Sequence, residues 1–261
     1  MIFSIRQLQE KCKEQHRPLL LAFIDLTKAF DLVSKDGLFK MLTKIGCPPK
    51  LLSMVQSFHE DMKGTVQYDG SSSEPLNIHS GVKQGCVLAP TFFGIFFAVL
   101  LKYAFGTSTE AVSLHTRSDG RLFNLARVKA MSKVRKATIR DMLFADDTAI
   151  VTHTEAELQL LMDRFAKACD EFGLTISLKK TNVMAQDAVH PSIIINNYKL
   201  EVASEFTYLG FTITNNLLLD AELNKRIGKV STTLYRLSQI VWNNSKLTLN
   251  TKISVYRACV L

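Results

Sequence analysis

Two adjacent aspartates, Asp146 and Asp147, separate two apolar stretches of the chain. Met142-Leu143-Phe144 precedes them and Thr148-Ala149-Ile150-Val151 follows, a pattern that predicts a β-hairpin with two carboxylates at its tip. Aspartate is unfavourable between buried strands unless another group offsets its charge. Because aspartate is also a common turn residue, this pair alone fits a type I′-like turn better than a metal site. A metal site needs a third carboxylate from another part of the chain.

Asp25 is the best candidate for that third carboxylate. It ends the continuous apolar run at residues 19–24, which predicts a strand buried on both faces. A carboxylate at this position is costly to bury without a cation nearby, so we expect it to meet one. Asp31 precedes a helical pattern and fits a helix cap or a turn residue instead.

The composition is that of an ordinary globular protein, with 47% hydrophobic and 21% charged residues in 261. The 32 Lys and Arg residues exceed the 24 Asp and Glu residues, giving a net charge of +8 that favours a polyanionic partner such as nucleic acid. The five cysteines are widely spaced and include no CxxC pair, which favours reduced thiols over disulfides or a zinc site. The N-terminus becomes charged too early for a signal peptide, so we expect an intracellular protein, nuclear or cytoplasmic, that is not secreted.

Hydrophobic periodicity predicts a mixture of helices and hairpins. Helices are predicted near residues 2–16, 38–45, 48–58, 154–173, 223–241 and 253–260, and hairpins around Asp69-Gly70, Asp119-Gly120, Asn196-Asn197 and Gly210. The hairpin around Asp69-Gly70 is expected to pair residues 66–68 with 76–78. The hairpin around Asp119-Gly120 is expected to pair residues near 112–114 with 122–123.

Three further segments each allow two interpretations. Residues 86–101 are almost wholly apolar, but they are shorter than the ~20 residues of a membrane span, so a buried core helix is favoured. Residues 80–86 place glycines around a lysine and a glutamine, which would let the backbone approach a phosphate or a base, although a plain loop is equally compatible. The basic residues at 127–140 fit either a solvated face or a phosphate-backbone track.

Three segments in combination resemble the catalytic motifs of reverse transcriptases, most closely those of non-LTR (LINE-like) retrotransposons. Residues 22–31 resemble the first motif, residues 80–90 the second and residues 144–147 the third. Residues 173–184 resemble the fourth motif, and residues 206–210 resemble the primer-grip hairpin. The order and separation of these segments agree along nearly the whole chain.

The resemblance implies an α+β fold of the right-hand polymerase type. The palm would be an antiparallel sheet backed by helices and would occupy residues 1–214, with partial fingers at about 37–79. Residues 215–261 would form the start of a helical thumb. The implied function is that of an RNA-directed DNA polymerase, which transfers nucleotides from a dNTP to a primer 3′-hydroxyl. RNA template, DNA primer and dNTP would be its partners, without a membrane; protein partners are not indicated.

The resemblance also assigns roles to individual residues. Asp25, Asp146 and Asp147 would be catalytic and, with the backbone of Leu26, would hold two Mg²⁺ ions, which Mn²⁺ could replace. The residues that would contact the dNTP are Lys28, Ala29, Phe30, Gln84, Gly85 and Lys180, and the primer grip would be Tyr208, Leu209 and Gly210.

Two of these roles have alternatives. The Phe30 ring would exclude a 2′-hydroxyl and so favour deoxynucleotides over the substrates of an RNA polymerase, but a core aromatic is an equal interpretation. Lys180 would lie near the leaving pyrophosphate, but it could be a solvated lysine, with Lys179 taking the role.

The frame around the motifs departs from the family. The family's fingers carry an upstream basic segment, and the chain begins too late to include it. A second hypothesis is therefore a truncated, catalytically inactive retroelement fragment that retains nucleic-acid binding.

Overall fold

The computed structural model describes residues 1–117 and 134–260. They form two compact units that divide between Ala203 and Ser204. The predicted turn at Asp119-Gly120 and most of the basic stretch at 127–140 lie outside the described residues.

The elements before residue 204 comprise five described helices and fifteen described strands. The helices are α1 (Ile2–Glu14), α2 (Lys35–Lys44), α3 (Pro49–Ser57), α4 (Ala89–Phe105) and α5 (Glu155–Phe172). The strands are β1 (Leu19–Ile24), β2 (Leu26–Thr27), β3 (Lys63–Gly64), β4 (Gln67–Tyr68), β5 (Ser71–Ser72), β6 (Leu76–Asn77), β7 (Val112–Arg117), β8 (Val134–Ile139), β9 (Asp141–Phe144), β10 (Asp147–Thr152), β11 (Thr175–Ile176), β12 (Asn182–Gln186), β13 (Ile194–Ile195), β14 (Tyr198–Lys199) and β15 (Glu201–Val202).

A five-stranded sheet in the order β15-β12-β1-β10-β9 forms the centre of the first unit. β1 lies in the middle and pairs antiparallel with β10 on one side and β12 on the other. All six residues of β1 are buried, as its continuous apolar sequence predicts. The β12–β15 pair is parallel. The sheet is therefore mixed, whereas the resemblance implied an antiparallel sheet.

Helices cover both faces of this sheet. Ala22 and Ile24 of β1 belong to the same buried cluster as Phe96 of α4 and Leu161 of α5. On the opposite face, the side-chain amide of Gln186 donates to the backbone carbonyl of Gln9 in α1. Burial on two faces fixes the register of β1, because a one-residue slip would exchange the two sets of side chains.

Local signals set the ends of α5 as the sequence predicts. The Thr154 hydroxyl accepts a hydrogen bond from the Glu157 amide and the Glu157 carboxylate accepts one from the Thr154 amide, which is a capping box. Gly173 follows the helix in the left-handed conformation with φ +73°.

The apolar segment beginning at Cys86 becomes the core helix α4, with Phe93 and Phe96 each 1% exposed. Within residues 1–117 and 134–260, no helix has both the length and the apolar character of a membrane span.

Among the described residues, one predicted hairpin forms with a different pairing. The turn at Asp69-Gly70 is present, but β4 pairs with β5, and β6 pairs with β3. The prediction missed this because both partner segments are short and polar. β7 pairs with β8 (residues 134–139), whereas residues 122–123, its predicted partner, lie outside the described residues. The hairpin β13–β14 at Asn196-Asn197 forms as predicted, with both asparagines at positive φ.

The predicted helix at 48–58 is α3, but its apolar face is mostly exposed. Val55 is buried, whereas Leu51 is 46% exposed and Phe58 is 58% exposed. Periodicity identified the helix correctly, but it does not report how much of the apolar face another element covers.

The five cysteines are free thiols. Burial raises the pKa of both Cys12 and Cys169 to about 12. These two thiols therefore stay protonated at neutral pH.

The second unit contains one hairpin and a series of helical segments. Its elements are β16 (Glu205–Tyr208), β17 (Phe211–Thr214), α6 (Asp220–Arg236), a π-helical turn (Ser238–Trp242) and α7 (Leu249–Cys259). Inside this unit the buried Glu222 joins α6 to β17. Its carboxylate accepts a hydrogen bond from the Thr212 amide at 2.7 Å and a second one from the Arg226 guanidinium.

Candidate active site

The β1–β10 ladder brings two of the predicted aspartates together. The last pair in this ladder is Ile24 with Thr148. Asp25 follows Ile24 and Asp147 precedes Thr148, so these two aspartates occupy the next register position. Facing residues of an antiparallel pair lie about 5 Å apart. The sheet therefore aligns carboxylates that are far apart in the sequence.

The predicted acidic hairpin forms between β9 and β10. Phe144 pairs with Asp147 across the two-residue turn Ala145-Asp146. Ala145 is at φ +54°, whereas Asp146 is not among the residues of positive φ. The turn is therefore not type I′, which needs a positive φ at both central residues.

The Asp147 carboxyl is affected by burial and by the other two aspartates. Burial raises the pKa of Asp147 above its ordinary value, and the negative charges of Asp146 and Asp25 raise it further. Charge at this position is thus unfavourable in the protein alone, and a nearby cation would relieve it.

The segment after α5 holds Asp25 in place. The Ser177 amide donates to the Asp25 carbonyl at 2.8 Å, and the Asp25 amide donates to the Thr181 hydroxyl at 3.4 Å. The Lys180 ammonium lies 3.6 Å from a carboxylate oxygen of Asp25. Of the two lysines considered from the sequence, Lys180 is the one that contacts an aspartate of the predicted site.

A turn follows β2 at the first predicted motif. Leu26 is buried and pairs with Ile176, whereas Lys28 is exposed at φ +47°. The Lys28 carbonyl accepts from the amides of Asp31 and Leu32. Asp31 is therefore a turn residue, one of the two roles predicted for it.

The second predicted motif is attached to this turn through backbone hydrogen bonds. The Gly81 amide donates to the Val33 carbonyl at 2.8 Å, and the Val82 amide donates to the Phe30 carbonyl at 2.9 Å. The sequence suggested that the glycines would allow approach to a phosphate or a base. In the structure, the close approach of Gly81 is to the protein backbone at Asp31.

Phe30 packs against the core, which is one of its two predicted interpretations. It is half-buried, and its ring stacks on that of Phe93 with centroids 4.4 Å apart. Packing on a core helix fixes the direction of the ring, while the remaining exposed part borders the first-motif turn. The residue as a whole remains partly exposed despite this contact.

Gln84 and Gly85 lie in an exposed turn of the second-motif loop, closed by the Cys86 amide donating to the Lys83 carbonyl. Gln84 also lines a cavity of about 480 Å³ together with Asp31, and Lys63 and Lys83 contribute its cationic side chains. Gly85 is not among the residues that line this cavity.

The predicted primer-grip residues lie in the second unit. Tyr208 is buried and pairs with Phe211 across the turn Leu209-Gly210. Leu209 and Gly210 are both at positive φ, +49° and +77°, which makes this a type I′ turn. Gly210 borders a cavity of about 950 Å³ whose wall includes the cations Lys225 and Lys229.

The chemistry of the three carboxylates suits a hard cation such as Mg²⁺, which prefers oxygen ligands. Reverse transcriptases as a family use divalent metal ions. In the described parts of the chain, however, no three acidic, histidine or cysteine side chains converge closely enough to hold a metal ion. The carboxylate oxygens are therefore suitable ligands for a divalent cation. In this structure, however, Asp25 forms an ion pair with Lys180.

Sequence reasoning missed three contributors to this arrangement: Ser177 and Thr181, which hold the backbone of Asp25, and the contact of Gly81 with Asp31. The adjacent Lys180 was identified only through the resemblance. No local pattern marks Ser177 or Thr181, because their hydrogen-bond partner, Asp25, is distant in the sequence. Asp25 and Thr181 are 156 positions apart.

The mixed sheet backed by helices, with carboxylates at the end of its central strands, defines a polymerase palm. A family model described as reverse transcriptase (RNA-dependent DNA polymerase) matches residues 2–213. The chain therefore belongs to the reverse transcriptase family, as its motifs predicted.

Curated relatives come from non-LTR retrotransposons. The RNA-directed DNA polymerase from mobile element jockey of Drosophila melanogaster is 25% identical over 246 residues, covering 91% of this chain and 24% of that protein. The probable RNA-directed DNA polymerase from transposon BS of the same organism is 25% identical over 249 residues, covering 91% of this chain and 25% of that protein. The chain thus spans about a quarter of the length of these relatives.

Solved structures of telomerase share the fold. Apo telomerase from Candida tropicalis, truncated from its C-terminal domain, gives a TM-score of 0.55 at 14% identity and covers 84% of this chain and 39% of that one. Telomerase from Candida albicans with an RNA fragment gives a TM-score of 0.51 at 14% identity, covering 81% of this chain and 34% of that one. At this identity the likeness concerns the fold alone.

Proposed function

We propose that this chain is the catalytic core of an RNA-directed DNA polymerase that extends a DNA primer on an RNA template. The observation that carries the proposal is the placement of Asp25 beside Asp147 at the end of the β1–β10 ladder, with Asp146 in the adjoining turn. Membership of the family and similarity to the jockey polymerase support it.

Asp25, Asp146 and Asp147 would hold two Mg²⁺ ions, with the backbone carbonyl of Leu26 facing one of them; Mn²⁺ could replace Mg²⁺. Bound there, such a metal pair would activate the primer 3′-hydroxyl and stabilise the charge on the leaving pyrophosphate. The raised pKa of Asp147 supports this role, because the crowded carboxylates gain most from a cation.

Lys28, Ala29 and Phe30 would form the floor of the nucleotide site. In the described parts of the chain, no backbone carbonyl accepts from the amides of Ala29 and Phe30. Since Ala29 is buried and Phe30 is partly exposed, the Phe30 amide is the better candidate to donate to a triphosphate. The Phe30 ring, braced by Phe93, would exclude a 2′-hydroxyl. Gln84 and Gly85 would complete the pocket, since the second-motif loop is tied to the turn at Phe30.

Tyr208, Leu209 and Gly210 would form the primer grip. We assign residues 1–214 to the palm with partial fingers at about 37–79, and residues 215–261 to the start of the thumb. The hairpin β16–β17 clusters with the helices that follow it, but the resemblance places it at the end of the palm. The net charge of +8 suits the proposed nucleic-acid partners, and we expect an intracellular site of action, nuclear or cytoplasmic.

Primer extension tests this function. The purified chain would receive a DNA primer annealed to an RNA template, dNTPs and Mg²⁺. We expect the primer to be elongated, elongation to stop when EDTA removes the metal, and elongation to resume when Mg²⁺ is added in excess. A primer that stays unextended in the presence of Mg²⁺ and Mn²⁺ would contradict the proposal.

A further inference from the structure

The ion pair between Lys180 and Asp25 joins a largely exposed side chain to a residue whose backbone is held by hydrogen bonds. The Lys180 side chain is 73% exposed, whereas that of Asp25 is 36% exposed. The backbone of Asp25 is held on both sides, by the Ser177 amide and the Thr181 hydroxyl. The Lys180 amide is itself fixed to the Ser177 carbonyl at 3.0 Å. Movement of the lysine side chain is therefore the simplest way to break this contact.

The ammonium of Lys180 lies beside a carboxylate oxygen that would be a metal ligand in the proposed site. It is 3.6 Å from the Asp25 carboxylate oxygen Oδ2. In the described residues the acidic side chains do not converge into a metal cluster, although Asp25 and Asp147 occupy neighbouring positions at the end of one ladder. A divalent cation on Asp25 and an ammonium beside the same oxygen would repel each other.

We propose that Lys180 is a built-in counter-ion of Asp25 that competes with Mg²⁺ for this carboxylate and is displaced when the metal binds. This inference rests on the proposed metal site and adds an exchange of cations to it. The lysine compensates the charge of Asp25 while the metal is absent. Displacement leaves its ammonium free to meet an anionic group arriving with the substrate. Lys180 is thus a positioning residue for Asp25.

The proposed displacement of Lys180 by Mg²⁺ predicts an effect that would not be expected if Lys180 had a purely structural role. Removing the ammonium should tighten Mg²⁺ binding, because the metal no longer has to displace a cation. The expected gain is roughly two- to fivefold in the Mg²⁺ dissociation constant, the magnitude of one exposed ion pair. A lysine that served only the stability of the turn would change the melting temperature without changing the response to metal.

The test measures the melting temperature of the intact chain, without substrate, as Mg²⁺ is titrated at constant ionic strength maintained with KCl. Binding to the folded state raises the melting temperature with metal concentration, so the dissociation constant follows from the curve. Four proteins are compared with wild type: Lys180→Met, Lys180→Arg, Lys179→Met and Asp146→Ala. Lys179 is an exposed neighbour, and it has no carboxylate partner within the part of the chain that is described.

We expect Lys180→Met to shift the Mg²⁺ dependence to roughly two- to fivefold lower concentration. Lys180→Arg, which keeps the charge, and Lys179→Met should titrate like wild type. Equal titrations for Lys180→Met and wild type, or an equal shift in Lys179→Met, would overturn the inference while leaving the metal site intact. A wild-type chain that does not respond to Mg²⁺, or an Asp146→Ala variant that responds as wild type does, would overturn both the metal site and the inference.

Discussion

Gly81 lies directly against the backbone of Asp31. A Cβ atom added at residue 81 would come within 2.7 Å of the Asp31 carbonyl oxygen and 2.8 Å of its Cα. The backbone of Gly81 is also in the left-handed region, at φ +88°. Because this contact joins the second-motif loop to the first-motif turn, it sets where Gln84 lies relative to Phe30.

The substitution Gly81→Ala should therefore destabilise the first unit. A non-glycine residue in the left-handed region costs ~1–2 kcal/mol, and the clash with backbone adds a similar amount, so we expect a loss of about 2–4 kcal/mol. Urea unfolding measures it. Gly46→Ala is the matched control, because Gly46 has the same φ of +88° but nothing within 4 Å of the added Cβ. Equal losses in the two variants would show that contact with Asp31 contributes nothing.

The substitution Asp147→Asn should stabilise the chain at neutral pH in the absence of metal. The pKa of Asp147 is raised by burial and by the charges of Asp146 and Asp25. A carboxyl with a raised pKa favours folding only while it is protonated, so wild type loses this contribution as the pH rises through the folded-state pKa. We expect the variant to melt about 1–3 °C higher at pH 7, with the difference vanishing in acid.

Thermal melts between pH 3 and pH 8 measure that difference. Asp187→Asn serves as the control, because Asp187 is exposed and follows β12 away from the carboxylates. If Asp147→Asn raised the melting temperature as much at pH 3 as at pH 8, the negative charge of Asp147 would not be the cause of the stabilisation.

Replacing Phe30 by alanine should change both stability and substrate choice. The ring stacks on Phe93 but is only half-buried, so we expect a loss of about 1–3 kcal/mol. If the ring excludes a 2′-hydroxyl, the preference for dNTP over NTP should also fall by about tenfold or more, since ~1.4 kcal/mol of lost discrimination already gives a factor of ten.

Competition between labelled dNTP and NTP in single-nucleotide extension measures the preference. Phe39→Ala provides a matched loss of packing, because Phe39 contacts His59 edge-to-face and lies in α2. If the two variants discriminate equally, the role of Phe30 is confined to packing.

The buried Glu222 should stabilise the second unit in a pH-dependent way. Hydrogen bonds from Arg226 and from the Thr212 amide lower the pKa of its carboxyl, although burial opposes them. Its contribution is therefore present above the ordinary carboxylate pKa and is lost as the pH falls through the lowered value. Glu222→Ala leaves a buried amide without an acceptor, which costs about 1–3 kcal/mol.

Hydrogen exchange at the Thr212 amide reports this loss directly, since that amide donates to Glu222. We expect faster exchange in Glu222→Ala at pH 7 and a smaller effect in acid. In the control Asp220→Ala, at an exposed position of the same helical turn, the Thr212 amide should exchange at the wild-type rate. Unchanged protection in Glu222→Ala would contradict the assigned contact.

Features encoded in short segments could be predicted from the sequence. The apolar run before Asp25 identified the central strand, and the helical periodicity of residues 154–173 identified α5. The acidic hairpin was likewise visible from its two apolar stretches separated by a pair of aspartates. These signals depend on neighbours a few positions away, so no knowledge of the tertiary structure is needed.

Features that depend on distant partners could not be predicted in this way. The contact of Asp25 with Lys180 and that of Gly81 with Asp31 join separate segments. Periodicity also cannot show that β12 pairs in parallel with β15. For the site, the sequence identified the carboxylates, while the structure showed how Ser177 and Thr181 fix one of them.

The central claim is that Asp25, Asp146 and Asp147 form the metal site of an RNA-directed DNA polymerase. Its most direct test is addition of a single dNTP to a DNA primer on an RNA template by wild type, Asp146→Ala and the control Asp187→Asn. Loss of a group that merely supports a metal ligand costs ~10–100-fold, so we expect Asp146→Ala to lower the rate by about 100-fold or more. Asp187→Asn should match wild type, and equal rates for wild type and Asp146→Ala would contradict the claim.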